Sequence, residues 1–215
     1  MILVLAAVML SQSVDDVVAK AISARGGIKR IKSLNSQRLS GRISLAGGSS
    51  GPFSVEMKRP NSIRENVQIG DKSMIRVTDG VLGWVVGSLR DLTEPKQLSA
   101  EELRNMDTDL EGPLVDYKAK GNRIELAGKE KLGKRKVYKL VISMKNGDSR
   151  IDYVDAKSYL ELKWRGVTFE TYFRGYREVK GLMYAFEIDS GSQKIVLDKV
   201  EVNPKLDDAR FQKPQ

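Results

Sequence analysis

The chain contains no cysteine and no histidine among its 215 residues. Those two absences exclude disulfides, thiol nucleophiles, serine–histidine–aspartate triads and the usual zinc sites together. They also exclude a lipid attached through cysteine. Hydrophobic residues make up 40% of the chain, too few for a membrane bundle. Charged residues make up 30% and are interleaved with apolar ones, which opposes disorder. Long apolar runs are also lacking, with one exception. Ile2 to Leu10 reads ILVLAAVML, too short to span a bilayer but matching the core of a signal peptide. Ser11 and Ser13 place small residues at the −3 and −1 positions of a cut before Val14. The expected organisation is therefore a leader over 1–13 and a single domain over 14–215, long enough for one sizeable core.

The balance of 37 basic against 28 acidic residues gives a net charge of +9. A basic surface favours anionic partners or simply keeps the protein soluble. Lys129, Lys131, Lys134, Arg135 and Lys136 cluster around Gly133, where a solvated hairpin tip or a contact with an anionic membrane surface would use them. Recognition motifs for nucleic acid are missing, and no nucleic acid is expected as partner.

Val14, Val17, Val18, Ala21 and Ile22 recur with the period of an amphipathic helix, with Asp15 and Asp16 in its first turn. Gly26-Gly27 breaks it, and Ile28, Ile31 and Leu34 continue the stripe on a second short helix. After about residue 36 the period becomes two. Leu39, Gly41, Ile43 and Leu45 alternate with polar neighbours, as do Phe53, Val55 and Met57. Strands are expected near 63–69, 73–78 and 82–86, with Asp79-Gly80 as a tight turn. Ser99 and Glu102 match a capping box, and Leu103, Met106 and Leu110 then share one face of a helix over 99–111 ended by Gly112-Pro113. Strands return at 122–131, 135–144, 149–154, 159–164, 166–175, 181–190 and 193–202, followed by a helical turn in the tail. So many short strands indicate an antiparallel sandwich or barrel.

Several ordered segments resemble the LolA/LolB-like family of periplasmic lipoprotein carriers. Val55-Glu56-Met57-Lys58-Arg59-Pro60-Asn61 is similar to the family's strand ending in Lys-Arg-Pro-Asn. Val77-Thr78-Asp79-Gly80 followed by Trp84 is similar to its Asp-Gly turn and aromatic strand. The stretch from Leu114-Val115-Asp116-Tyr117 to Asp152-Tyr153-Val154-Asp155 resembles its second group of strands, and Asn203-Pro204-x-Leu206-Asp207-Asp208-x-x-Phe211 its ending. The resemblance implies a mainly β (α+β) fold, an unclosed antiparallel β-barrel whose open side is covered by helices. It further implies a soluble periplasmic carrier of a lipid or of a lipoprotein's acyl chains, serving outer-membrane lipoprotein sorting with inner- or outer-membrane partners. In the family the arginine of the Arg-Pro pair ties sheet to lid, a role that falls on Arg59 here. A sensor domain of the same fold, binding a protein partner, is the alternative.

The candidate cavity lining is Phe53, Val55, Met57, Ile75, Val77, Trp84, Val86, Leu162, Trp164, Phe169, Phe173, Tyr184, Phe186 and Ile188, with Leu103, Met106 and Leu110 as lid residues. A closed core would use the same side chains. Asp107-x-Asp109-x-Glu111-Gly112 imitates the start of a calcium loop, but Lys118 stands where the bidentate glutamate belongs, so no metal is expected. The adjacent acidic pairs read as first-turn and surface charges, not an acid/base pair. No catalytic group or cofactor is assigned, and the expected protein is not an enzyme.

Overall fold

The computed structural model describes residues 12–104, 106 and 108–215. The leader expected over 1–13 lies mostly outside the described residues, as does Asp107. Helix α1 (Val14–Ala24) starts from a complete capping box between Ser13 and Asp16 and buries Val17, Val18 and Ala21. Gly26 ends this unit at φ +122, and an added Cβ would lie 2.2 Å from the Gly181 carbonyl oxygen. Only glycine satisfies both conditions, which explains the break between α1 and α2 (Ile28–Lys32).

Thirteen strands form one antiparallel sheet. They are β1 (Ser36–Leu45), β2 (Ser50–Lys58), β3 (Ser62–Ile69), β4 (Lys72–Thr78), β5 (Gly83–Gly87), β6 (Leu92–Gln97), β7 (Arg123–Leu132), β8 (Arg135–Ser143), β9 (Ser149–Asp155), β10 (Glu161–Arg165), β11 (Glu170–Val179), β12 (Leu182–Asp189) and β13 (Gln193–Val202). Two meanders, β1–β6 and β7–β13, are joined where β1 pairs β13, with Gln37 opposite Val202. The edges β6 and β7 do not pair, so the barrel stays unclosed. The chain between them forms a strap across the inner face. It includes α3 (Ala100–Arg104) and buries Met106, Leu110, Leu114 and Val115. Two inner clusters result. One joins α2 and the strap to β1–β3, β12 and β13. The other seats α1 against β7, β8 and β9.

The expected helix over 99–111 is a correction. Ser99 and Glu102 do exchange capping-box bonds, at 2.8 and 3.2 Å, but α3 stops at Arg104. Met106 and Leu110 are buried from irregular backbone, so sheet contact rather than helical period places them. β6 is a strand beyond those expected; it contains Pro95, and as an edge it tolerates the missing donor. β11 begins four residues later than expected, because Gly166–Phe169 makes the turn and Gly175 sits inside the strand at φ +63.

Candidate functional site

The inner face carries a cavity of about 340 Å³ between sheet, helices and strap. Leu39, Met57, Leu110, Leu182, Phe173 and Ile188 supply apolar wall. Arg59, in the turn after β2, fastens the rim. Its Nε donates to the Leu34 carbonyl at 2.6 Å, and its Nη2 meets Glu111 Oε1 at 2.8 Å. One planar cation thus ties the sheet, the segment after α2 and the strap together. Arg25 adds a second tie from the end of α1, donating to the Glu111 carbonyl at 2.6 Å.

The opposite wall is polar. Arg150 Nε lies 2.8 Å from Asp152 Oδ1, its Nη2 lies 3.5 Å from Glu161 Oε1, and its guanidinium stacks over Trp164. Asp152 is only 1% exposed. Burial, then the Glu161 and Asp152 charges, push the Tyr176 hydroxyl well above its ordinary range, against the opposing pull of Arg25. Burial likewise pushes Tyr184 up to about 12, with Arg25 opposing. Both tyrosines therefore stay neutral donors: Tyr176 donates to the Glu161 carbonyl at 2.6 Å and Tyr184 to Gln37 Oε1 at 3.3 Å. A cavity with one hydrocarbon wall and one hydrogen-bonding wall suits an amphiphile.

The candidate lining residues divide between two faces. Phe53, Val55, Met57, Leu103, Met106, Leu110, Tyr184, Phe186 and Ile188 all belong to the inner cluster. Of these, Met57, Leu110, Tyr184 and Ile188 reach the cavity, joined by Trp164 and Phe173. Ile75, Val77 and Trp84 do not. They pack with Leu206 and Phe211 of the C-terminal turn, and Val86 shares Trp84's side of β5. The inward residues of that hairpin are Met74 and Val85. Both faces of β4 and β5 are apolar because the tail covers the outer one, so alternation carries no parity there. Leu162 lines a different cleft. Phe169 is 54% exposed and meets Trp164 edge-on. The sequence reading missed Arg25, Arg150, Asp152, Glu161 and Tyr176. Their available signal was Arg150-x-Asp152 at strand spacing, in register with apolar neighbours.

Two solved structures resemble this one along nearly their whole length. A DUF1329 family protein from Desulfovibrio piger superposes with TM-score 0.62 at 14% identity, covering 94% of this chain and 98% of that chain. A LolA superfamily protein from Nitrosomonas europaea does so with TM-score 0.56 at 13% identity, covering 94% and 99%. No family model matches the sequence, and no curated protein matches it. The chain has the LolA-like fold, a mostly β structure with an unclosed antiparallel sheet.

Proposed function

We propose that the protein is a non-enzymatic carrier that holds the hydrocarbon of a lipid, or of an acylated lipoprotein, in the cavity under the strap. The observation that carries this reading is a space of about 340 Å³ with one apolar wall, beside which Arg59 fastens two separate segments. An engineered cavity of about 150 Å³ accommodates benzene, so this one scales to roughly a dozen carbon atoms. That is one medium acyl chain. A lipoprotein's several chains would require the strap to lift, breaking the Arg59–Glu111 pair. Burying a dozen methylenes is worth about 10 kcal/mol at roughly 0.8 kcal/mol each, before an association cost of about 4 kcal/mol or more. The cargo is therefore exchangeable.

The setting in this reading is the periplasm, with the apolar run at 2–10 acting as the export signal. No described helix is long and apolar enough to cross a membrane. Gln12 and Ser13 contact the domain, Gln12 reaching Tyr159 and Ser13 capping α1, so a cut before Val14 would remove both contacts.

The test is recovery of the protein from a periplasmic extract, followed by native mass spectrometry and lipid extraction. Co-purified acyl lipid is expected at one molecule per chain. Protein that emerges empty, and takes up no fatty acid or phospholipid when offered them, would refute the carrier reading.

A further inference from the structure

A second cleft, about 690 Å³, lies where the sheet's ladder is interrupted. β10 pairs with β11 only through Lys163, Trp164 and Arg165, opposite Tyr172, Thr171 and Glu170. Continuing that register would set Leu162 against Phe173 and Leu160 against Gly175. Instead those four residues stand apart and line the cleft. From Phe173 to Val179, β11 has a ladder partner only in β12 among the described residues. Of that side, Phe173–Tyr176 line the cleft, roughly 13 Å at about 3.3 Å per residue, room to pair with the central residues of a short extended segment. Tyr176 reaches across the gap with its hydroxyl on the Glu161 carbonyl, keeping the two sides in contact without pairing them.

The surroundings select the occupant. The floor is apolar: Leu132, Leu160, Leu162 and Phe173. One wall is the tip of the β7–β8 hairpin, where Gly133 and Arg135 line the cleft and Lys131, Lys134 and Lys136 are exposed beside them. Arg174 adds charge from β11. Arg135 is paired with Asp155 at 2.9 Å and Arg174 with Asp189 at 3.4 Å, so the lysines supply the excess. An open strand edge, here interrupted once at Gly175, offers backbone donors and acceptors, a pattern that a hydrocarbon chain cannot answer and a peptide can.

We propose that this cleft is a docking groove for an extended peptide, acidic and apolar at alternate positions, that adds as a strand along β11. Main-chain bonds to β11 give the affinity, leucine-like side chains fill the floor, and carboxylates face the hairpin lysines. The groove adjoins the acyl cavity, Phe173 and Tyr176 lining both.

The probe is the blocked hexapeptide Glu-Leu-Glu-Leu-Glu-Leu, titrated calorimetrically into the full chain with residue-resolved amide exchange as second readout. Saturable binding is expected, with exchange between Phe173 and Tyr176 slowed by roughly tenfold or more. Alternate N-methylation of the peptide should weaken binding by at least about tenfold, because it removes ladder donors. Replacing its glutamates by lysines should do the same, as should Lys131→Glu with Lys134→Glu in the protein, an effect that shrinks at high salt. The proposal fails if no saturable binding occurs, if the N-methylated peptide binds equally well, or if protection appears elsewhere. An anionic lysophospholipid that protects this segment while the peptide does not would overturn it in favour of a lipid. Loading of the acyl cavity in the same protein is scored separately, so either site can fail alone.

Discussion

Arg59 and Glu56 sit three positions apart and do opposite jobs. Arg59 is solvent-accessible at its edge and bridges parts that must separate if the strap lifts. Arg59→Leu is expected to leave the circular-dichroism spectrum unchanged and to release bound fatty acid roughly tenfold faster, taking about 1.5 kcal/mol for a lost charged hydrogen bond. Unchanged release and loading would remove Arg59 from the mechanism. Glu56, only 2% exposed on the outer face, anchors the tail: it receives Arg38 Nε and Arg210 Nε, each at 2.7 Å. Burial disfavours its charge, but the Arg210 and Arg38 guanidiniums outweigh that and hold its carboxyl below its ordinary value of 4.5. A carboxyl depressed in the folded state stabilises fully above its unfolded value, and that stability is lost as pH falls through the folded value. Urea midpoints should therefore decline below pH 4.5. Glu56→Gln should lower the neutral-pH stability by about 1–2 kcal/mol, since it weakens two charge-assisted hydrogen bonds to guanidiniums that still reach water, and should flatten that acid decline. An unaltered acid profile in the variant would assign the decline to other carboxylates.

Among the elements, α1 and α2 depend on a close approach of Gly26 to Gly181. Gly26→Ala combines a φ of +122 with a backbone clash, so a loss of about 2–4 kcal/mol in urea stability is expected. A loss under about 0.5 kcal/mol would mean that the α1–α2 junction yields freely. This break was legible in the sequence as Gly-Gly between two apolar stripes, and most strands were legible from period two. Three features were not. The strap's Met106 and Leu110 imitate helical spacing while packing from a loop, because the sheet beneath decides their positions. On β4 and β5 the parity is hidden, since Ile75, Val77 and Trp84 are as apolar as the inward Met74 and Val85. The polar wall was hidden as well. Charged residues on a strand read as surface until partners from a neighbouring strand are known, and Glu161 meets Arg150 beside a shift in the β9–β10 register.

For the molecule as a whole, the decisive contact is the seam between β1 and β13, which joins residues near the two ends of the described chain. Non-local pairing of this kind slows folding, so refolding from urea is expected on a timescale of roughly seconds, far slower than a helical protein of equal size. A circular permutant that links the tail to α1 and opens the strap should refold roughly tenfold faster to the same structure, because the seam becomes local. Equal rates would place the slow step elsewhere. The same seam makes synthesis order matter. Until Val202 has left the ribosome, the first meander has an open flank and the second lacks its terminal staple. A chain built this way closes its sheet only when its synthesis is nearly complete.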